Sequence, residues 1–222
     1  LPEKGVKNVE AFIRNDQYNF IKSQTQILIN GYGTVNNSDV LQALKALAKE
    51  KVLNAFEVLT EEQEDLLLPV AEVKNKEQAE VFLETIKPYV IPFKSFTEAG
   101  VKKLFPKVKK LKIPSVDTID LGSISYVSWV DKGSNKKFIV AQDLYTQKLK
   151  GIQGTFKPIN QKGICTLCHS YEEVGMFTAE IKGTVQGTFT QRGNYICQDS
   201  EACNQNLLTL ERLHDFMLRL SK

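Results

Sequence analysis

The sequence predicts an α+β protein of two domains, a helical first half and a strand-rich second half that closes on a cysteine cluster. Three observations carry that prediction. Apolar residues recur at helical spacing up to residue 92 and alternate in short runs beyond it. Prolines at 88 and 92 interrupt the chain where the pattern changes. All four cysteines of the 222-residue chain fall in its last sixty positions, as two close pairs. The predicted boundary is therefore 1–92 and 93–222, with a finger core at 162–222.

Asp16 is placed to open a first helix through Phe20, Ile21, Ile27 and Leu28, ending at the Gly31-Tyr32-Gly33 break. Ser38-Asp39 then precedes the stripe Val40, Leu41, Leu44, Leu47, Ala48, Ala55 and Phe56. Thr60-Glu61-Glu62-Gln63 has the form of a capping box, in which hydroxyl and side-chain amide each satisfy a helix N–H. Asn75 through Gln78 repeats the signal more loosely, ahead of Ala79, Phe82, Leu83 and Ile86, with a stop near Pro88. Four amphipathic segments on short links predict a four-helix-bundle-like domain.

Beyond the prolines, Thr97 to Phe105 reads as a short helix. Lys102, Lys103, Lys107, Lys109, Lys110 and Lys112 then form the densest basic run, a pattern suited to phosphates or simply to solvent. Ser123–Val130, Lys137–Ala141 and Leu149–Phe156 read as an antiparallel meander with turns near Asp131–Asn135 and Asp143. Val174–Ile181 and Thr184–Thr190 read as two further strands, with Gly183 and Gly187 as breakers.

The cysteine pairs are Cys165-Thr-Leu-Cys168 and Cys197-x5-Cys203. Thiolates are soft ligands that suit zinc, and four of them fill a tetrahedral shell, leaving no position for a reactive water. Cys165 to His169 also spells the CxxCH pattern of haem attachment, and CxxC alone occurs in redox sites, but neither uses the second pair. Haem attachment and disulfides suit exported chains, and nothing in the sequence signals secretion. Lys162-Gly163-Ile164 suits a tight knuckle turn before the first pair. Cys203 precedes an apolar run, Leu207, Leu210, Leu213, Met217 and Leu220, so a helix start is expected at the last ligand. Knuckle, hairpin and helix-borne ligand describe a treble-clef-like finger around one structural Zn2+.

Catalytic motifs are missing: the chain has no P-loop, Rossmann glycine fingerprint, GxSxG elbow or HExxH pair. His169 adjoins a ligand and reads as a knuckle residue able to replace a cysteine, and His214 reads as a surface residue of the last helix. No catalytic residue is assigned, which favours a binding protein over an enzyme. No apolar stretch is long enough to span a membrane, and composition suggests a soluble, cytoplasmic chain. Residues 1–92 carry 10 basic and 14 acidic side chains, net −4, against 19 and 12, net +7, in the remainder. Such asymmetry suits two separate surfaces, or simply two solvated ones.

The C-terminal motifs resemble a known family. Gly163-Ile-Cys165-Thr-Leu-Cys168, Gly193-Asn-Tyr195-Ile-Cys197-Gln-Asp-Ser200 and Cys203-Asn204 are similar to the treble-clef finger of FusB-type fusidic acid resistance proteins. The likeness extends to Val108–Pro114, to Leu149–Gly151 and, more loosely, to Tyr18–Ile21 and Tyr32–Asn36. The resemblance implies an N-terminal helical domain, an α/β domain with Cys165, Cys168, Cys197 and Cys203 as zinc ligands, and elongation factor G as partner. It implies a C-terminal domain that grips the factor and promotes its release from ribosomes on which the drug has trapped it. Arg192, Tyr195 and Phe216 match positions expected to contact the partner, whereas Ile164 stands where family members often carry an aromatic. The alternative is a zinc-finger RNA-binding protein that uses the Lys102 to Lys112 run.

Overall fold

The computed structural model of the chain describes residues 9–182, 185 and 187–220. It divides between Ile91 and Pro92 into two compact units.

The first unit consists of α1 (Asn15–Thr34), α2 (Ser38–Leu53), α3 (Glu61–Leu67) and α4 (Lys76–Ile86), with short 3-10 turns after α3 and α4. Local chemistry starts three of these helices. Asn37 accepts from the Asp39 and Val40 amides at 2.8 and 3.2 Å. Thr60 and Gln63 exchange capping bonds of 3.3 and 3.0 Å, as the four-residue signal predicts. Asn75 accepts from the Gln78 amide at 2.9 Å. Ile21, Val52, Leu67 and Ile86 meet in the core, joined by Ala79, Phe82 and Leu83 of the predicted α4 stripe.

Two expectations fail here for steric and tertiary reasons. α1 does not break at Gly31 but continues to Thr34. Gly31 instead allows α2 to approach, because a Cβ there would lie 2.8 Å from Leu44 Cδ1. Ile27, Val40 and Leu47 of the expected stripes are exposed, while Asn15, Asp16, Gln17, Asn19, Gln24 and Thr25 of α1 are buried. Gln17 shows how such burial is tolerated: its amide donates to the Ala55 carbonyl at 2.6 Å.

In the second unit α5 (Glu98–Leu104), capped by Thr97, precedes five strands. These are β1 (Tyr126–Asp131), β2 (Lys136–Gln142), β3 (Leu149–Ile164), β4 (Tyr171–Lys182) and β5 (Phe189–Cys197). They form one antiparallel sheet in the order β1-β2-β3-β4-β5, so β5 is an edge strand. β3 runs eight residues past the predicted Phe156 and delivers the chain to Cys165. Gly183 and Thr184 lie outside the described residues, and the last strand begins at Phe189 rather than Thr184. The expected single C-terminal helix is two: α6 (Ser200–Gln205), then α7 (Glu211–Leu220), with buried Leu207 on the link between them.

Strand alternation sends successive side chains to opposite faces, and each face has its own core. Ile139, Ile152, Phe156, Phe177 and Ala179 pack with the cysteines, Leu213, Phe216 and Met217. Phe138 and Val140 pack oppositely, with Phe93, Phe96, Val101, Phe105 and Leu111. That second core covers part of its face and leaves the β3–β5 portion exposed to alternate residues such as Thr155, Lys157 and Glu180.

Candidate metal centre and partner surface

Three separate elements deliver the cysteines to one point. Cys165 and Cys168 lie on the turn between β3 and β4, Cys197 ends β5, and Cys203 sits in α6. All four sulfurs are within 4.8 Å of one another and the side chains are buried. The Cys165–Cys203 and Cys168–Cys197 separations are 3.8 and 3.7 Å. Zinc–sulfur bonds of about 2.3 Å in a tetrahedron require sulfur–sulfur edges of about 3.8 Å. A disulfide would need about 2.05 Å, so the site fits a closed tetrathiolate metal shell and excludes the disulfide reading.

Local backbone geometry holds this arrangement. The His169 amide donates to the Cys165 carbonyl at 2.9 Å and the Cys165 amide to the Ser170 carbonyl at 3.0 Å, closing the knuckle. His169 occupies the left-handed region at φ 62°, exposed and outside the sulfur group. The Leu167 and Cys197 amides both donate to Cys165 Sγ at 3.3 Å, which favours its thiolate form. Asp199 caps α6 by accepting from the Glu201 and Ala202 amides, which places Cys203 within its first turns. Lys162-Gly163-Ile164, expected in the turn, is instead the paired end of β3.

Charge suits the group to a cation. Hydrogen bonding among the sulfurs draws Cys165 far below the ordinary thiol range and pushes Cys203 far above it. Four thiolates this close cannot all ionise unless a positive ion sits among them. The surroundings add two groups that the sequence reading missed. Tyr126 is 2% exposed in the core that holds the cysteines; burial, then the Cys203 charge, raises its pKa. Lys137 is also 2% exposed, and its ammonium donates to the Cys197 and Gln198 carbonyls at 3.2 and 3.3 Å. It lies 4.5 Å from the Phe156 ring centroid. Burial lowers the Lys137 pKa, opposed by the negative charge of Cys203, Cys197 and Cys165. A dication with four thiolates carries net charge −2, which suits the ammonium held beside it. The signal for Lys137 was its register with Ile139 and Ala141 on the inward side of β2.

The three expected partner residues occupy different places. Tyr195 is 46% exposed, opposite Met176 of β4. Arg192 is exposed and pairs with Ala179, a residue of the metal-side core, so it projects from the α7 side of β5, the face opposite to that of Tyr195. Its guanidinium donates to the Arg219 carbonyl in the last turn of α7 at 3.4 Å, where a cation complements the helix dipole. Phe216, expected to contact the partner, is 2% exposed and lies in the core at 5.6 Å from the Phe177 ring. Its edge floors a cleft of about 320 Å³ walled by Arg192, Arg212, Asp215 and Arg219. Ile164 is exposed and pairs across the sheet with exposed Tyr171, an aromatic that the sequence reading passed over. His214, expected at the surface, is largely covered: its ring lies edge-on to Tyr145, and Nε2 is 3.7 Å from Asp143.

No helix among the described residues is long and apolar enough to cross a membrane. Residues 12–94 match the family model described as elongation factor G-binding protein, N-terminal. Residues 95–217 match that described as FBP C-terminal treble-clef zinc-finger. The solved structure of the fusidic acid resistance protein FusC is similar with a TM-score of 0.83 and 30% identity, covering 96% of this chain and 100% of that one. No curated protein matches the chain.

Proposed function

The chain belongs to the FusB-type family of fusidic acid resistance and elongation factor G-binding proteins, and from that premise we propose that it binds elongation factor G and promotes its release from the ribosome. Protection against fusidic acid follows from that release. The carrying observation is the four-sulfur group within the matched treble-clef region, which organises an accessible surface while leaving no open metal position for chemistry. We assign the four cysteines to one structural Zn2+ per chain, held by Cys165, Cys168, Cys197 and Cys203.

The C-terminal unit grips the factor through Arg192 and Tyr195, with Phe216 supporting the cleft from beneath. Arginine and tyrosine are favoured anchors because each offers a broad planar contact and a polar tip. A partner that reaches both must lie across the edge strand β5. The action requires no covalent step, so the protein works as a binding protein in the cytoplasm and meets the ribosome indirectly. It binds the factor more tightly in a conformation incompatible with retention, and that differential affinity shifts the population towards release.

The test is capture of purified elongation factor G by the zinc-loaded chain, without ribosomes or RNA. A stable complex is expected, together with faster factor release from drug-stalled ribosomes. Failure to capture the isolated factor would overturn the proposal.

A further inference from the structure

The open part of the C-terminal sheet carries a second cleft, on the face opposite the metal. It encloses about 610 Å³, and Lys107, Lys136, Lys157, Glu180, Phe189 and Gln191 are among its lining residues. Alternation explains its make-up. Lys136 pairs with Thr155 and Thr155 with Thr178, Lys157 with Met176, and Glu180 with Gln191, so side chains of four strands stand on one face. Among the described residues none of the three lysines has a carboxylate within ion-pair distance. The one carboxylate, Glu180, accepts from the Gln191 side chain at 3.4 Å. Phe189 is 63% exposed at the rim.

We propose that this face binds single-stranded RNA, with Lys107, Lys136 and Lys157 on successive phosphates and Phe189 stacked on a base. The chemistry separates it from the cleft beside α7. Protein interfaces favour arginine and disfavour lysine, and arginines wall that other cleft. Lysine is a compact point charge suited to a phosphate, and an exposed aromatic beside a basic groove accepts any unstacked base. The site also differs from the linear basic run, of which Lys107 alone is among the lining residues. Lys102 of that run is instead paired with Glu98.

Fluorescence anisotropy of a labelled oligouridylate of about 12 nucleotides, titrated with the zinc-loaded full chain, tests the assignment. Three phosphates on a single strand predict a log–log salt slope of about −2. The triple variant Lys107→Gln, Lys136→Gln, Lys157→Gln is expected to weaken binding at least about tenfold at low salt and to flatten that slope. Phe189→Ala weakens it about fivefold or more without changing the slope. Both variants keep their zinc and their capture of elongation factor G, so a failure here is distinct from a failure of the factor reading. Absence of oligouridylate binding by the parent chain would overturn the proposal. So would an equal loss on replacing Lys102, Lys103, Lys109 and Lys110 with Gln, which would reduce the effect to diffuse charge. Loss of factor capture in the triple variant, with RNA binding intact, would assign the face to the protein partner instead.

Discussion

The two faces of the C-terminal sheet are built from alternate residues of the same strands, yet they serve different ends. On one face Ile139, Ile152, Phe156 and Phe177 are sealed by the cysteines and α7. On the other, Phe138 and Val140 are covered by the segment containing Phe105 and Leu111, and the remaining strands stand open. The difference teaches where sequence changes should register. A substitution among the sealed side chains acts through metal retention and packing, whereas one at an exposed side chain acts on binding alone.

Cys203→Ser should produce the largest effect. It removes a ligand from a site whose metal would join the knuckle, β5 and α6, and structural zinc binding in finger peptides is worth about 10–16 kcal/mol. Loss of zinc by metal analysis, with collapse of near-ultraviolet circular dichroism, is the expected outcome. A metal-free variant with unchanged tertiary signal would erase the distinction between the faces.

Phe216→Ala comes next. Truncating a buried aromatic leaves a cavity against Phe177 and should cost about 3–5 kcal/mol in urea unfolding. A loss of factor binding with unchanged stability would show instead that the ring acts at the surface.

Lys137→Met keeps the length of the side chain over Phe156 but removes the cation beside the sulfurs. Groups just outside a metal shell commonly influence affinity by 10–100-fold. About tenfold faster zinc transfer to a chromogenic chelator is expected. Unchanged transfer would mean that the ammonium merely satisfies the Cys197 and Gln198 carbonyls.

Features governed by neighbours in sequence were legible in the chain itself. The Thr60–Gln63 capping box is a four-residue rule and forms as expected. The cysteines were legible because four soft ligands in two close pairs have few other uses. What remained hidden depends on register between distant strands. Lys137 reads as solvated charge beside Lys136 until β2 is paired with β3, which turns it towards the sulfurs. Phe216 lies off the centre of the Leu213–Met217 stripe, but the wide contact of α7 with the sheet covers it as well. The buried polar side chains of α1 follow no hydrophobic period, so periodicity predicted neither their burial nor the exposure of Ile27. Arg192 and Tyr195 are only three residues apart, and their odd spacing along β5 separates them once the strand is known.

That separation yields the smallest expected change in stability and the sharpest test of the comparison. Tyr195→Ala and Arg192→Glu both alter exposed side chains, so each should leave unfolding within about 0.5 kcal/mol of the parent. Each should nevertheless weaken capture of elongation factor G, by about 1–3 kcal/mol if both are anchors. Because they project from opposite faces of β5, neither shields the other, and their binding losses should add within about 0.5 kcal/mol in a double-mutant cycle. Strong coupling would mean that one compact partner element touches both around the exposed edge. If only Arg192→Glu weakens capture, the factor sits on the α7 side and Tyr195 belongs to the open face with Met176 and Lys157.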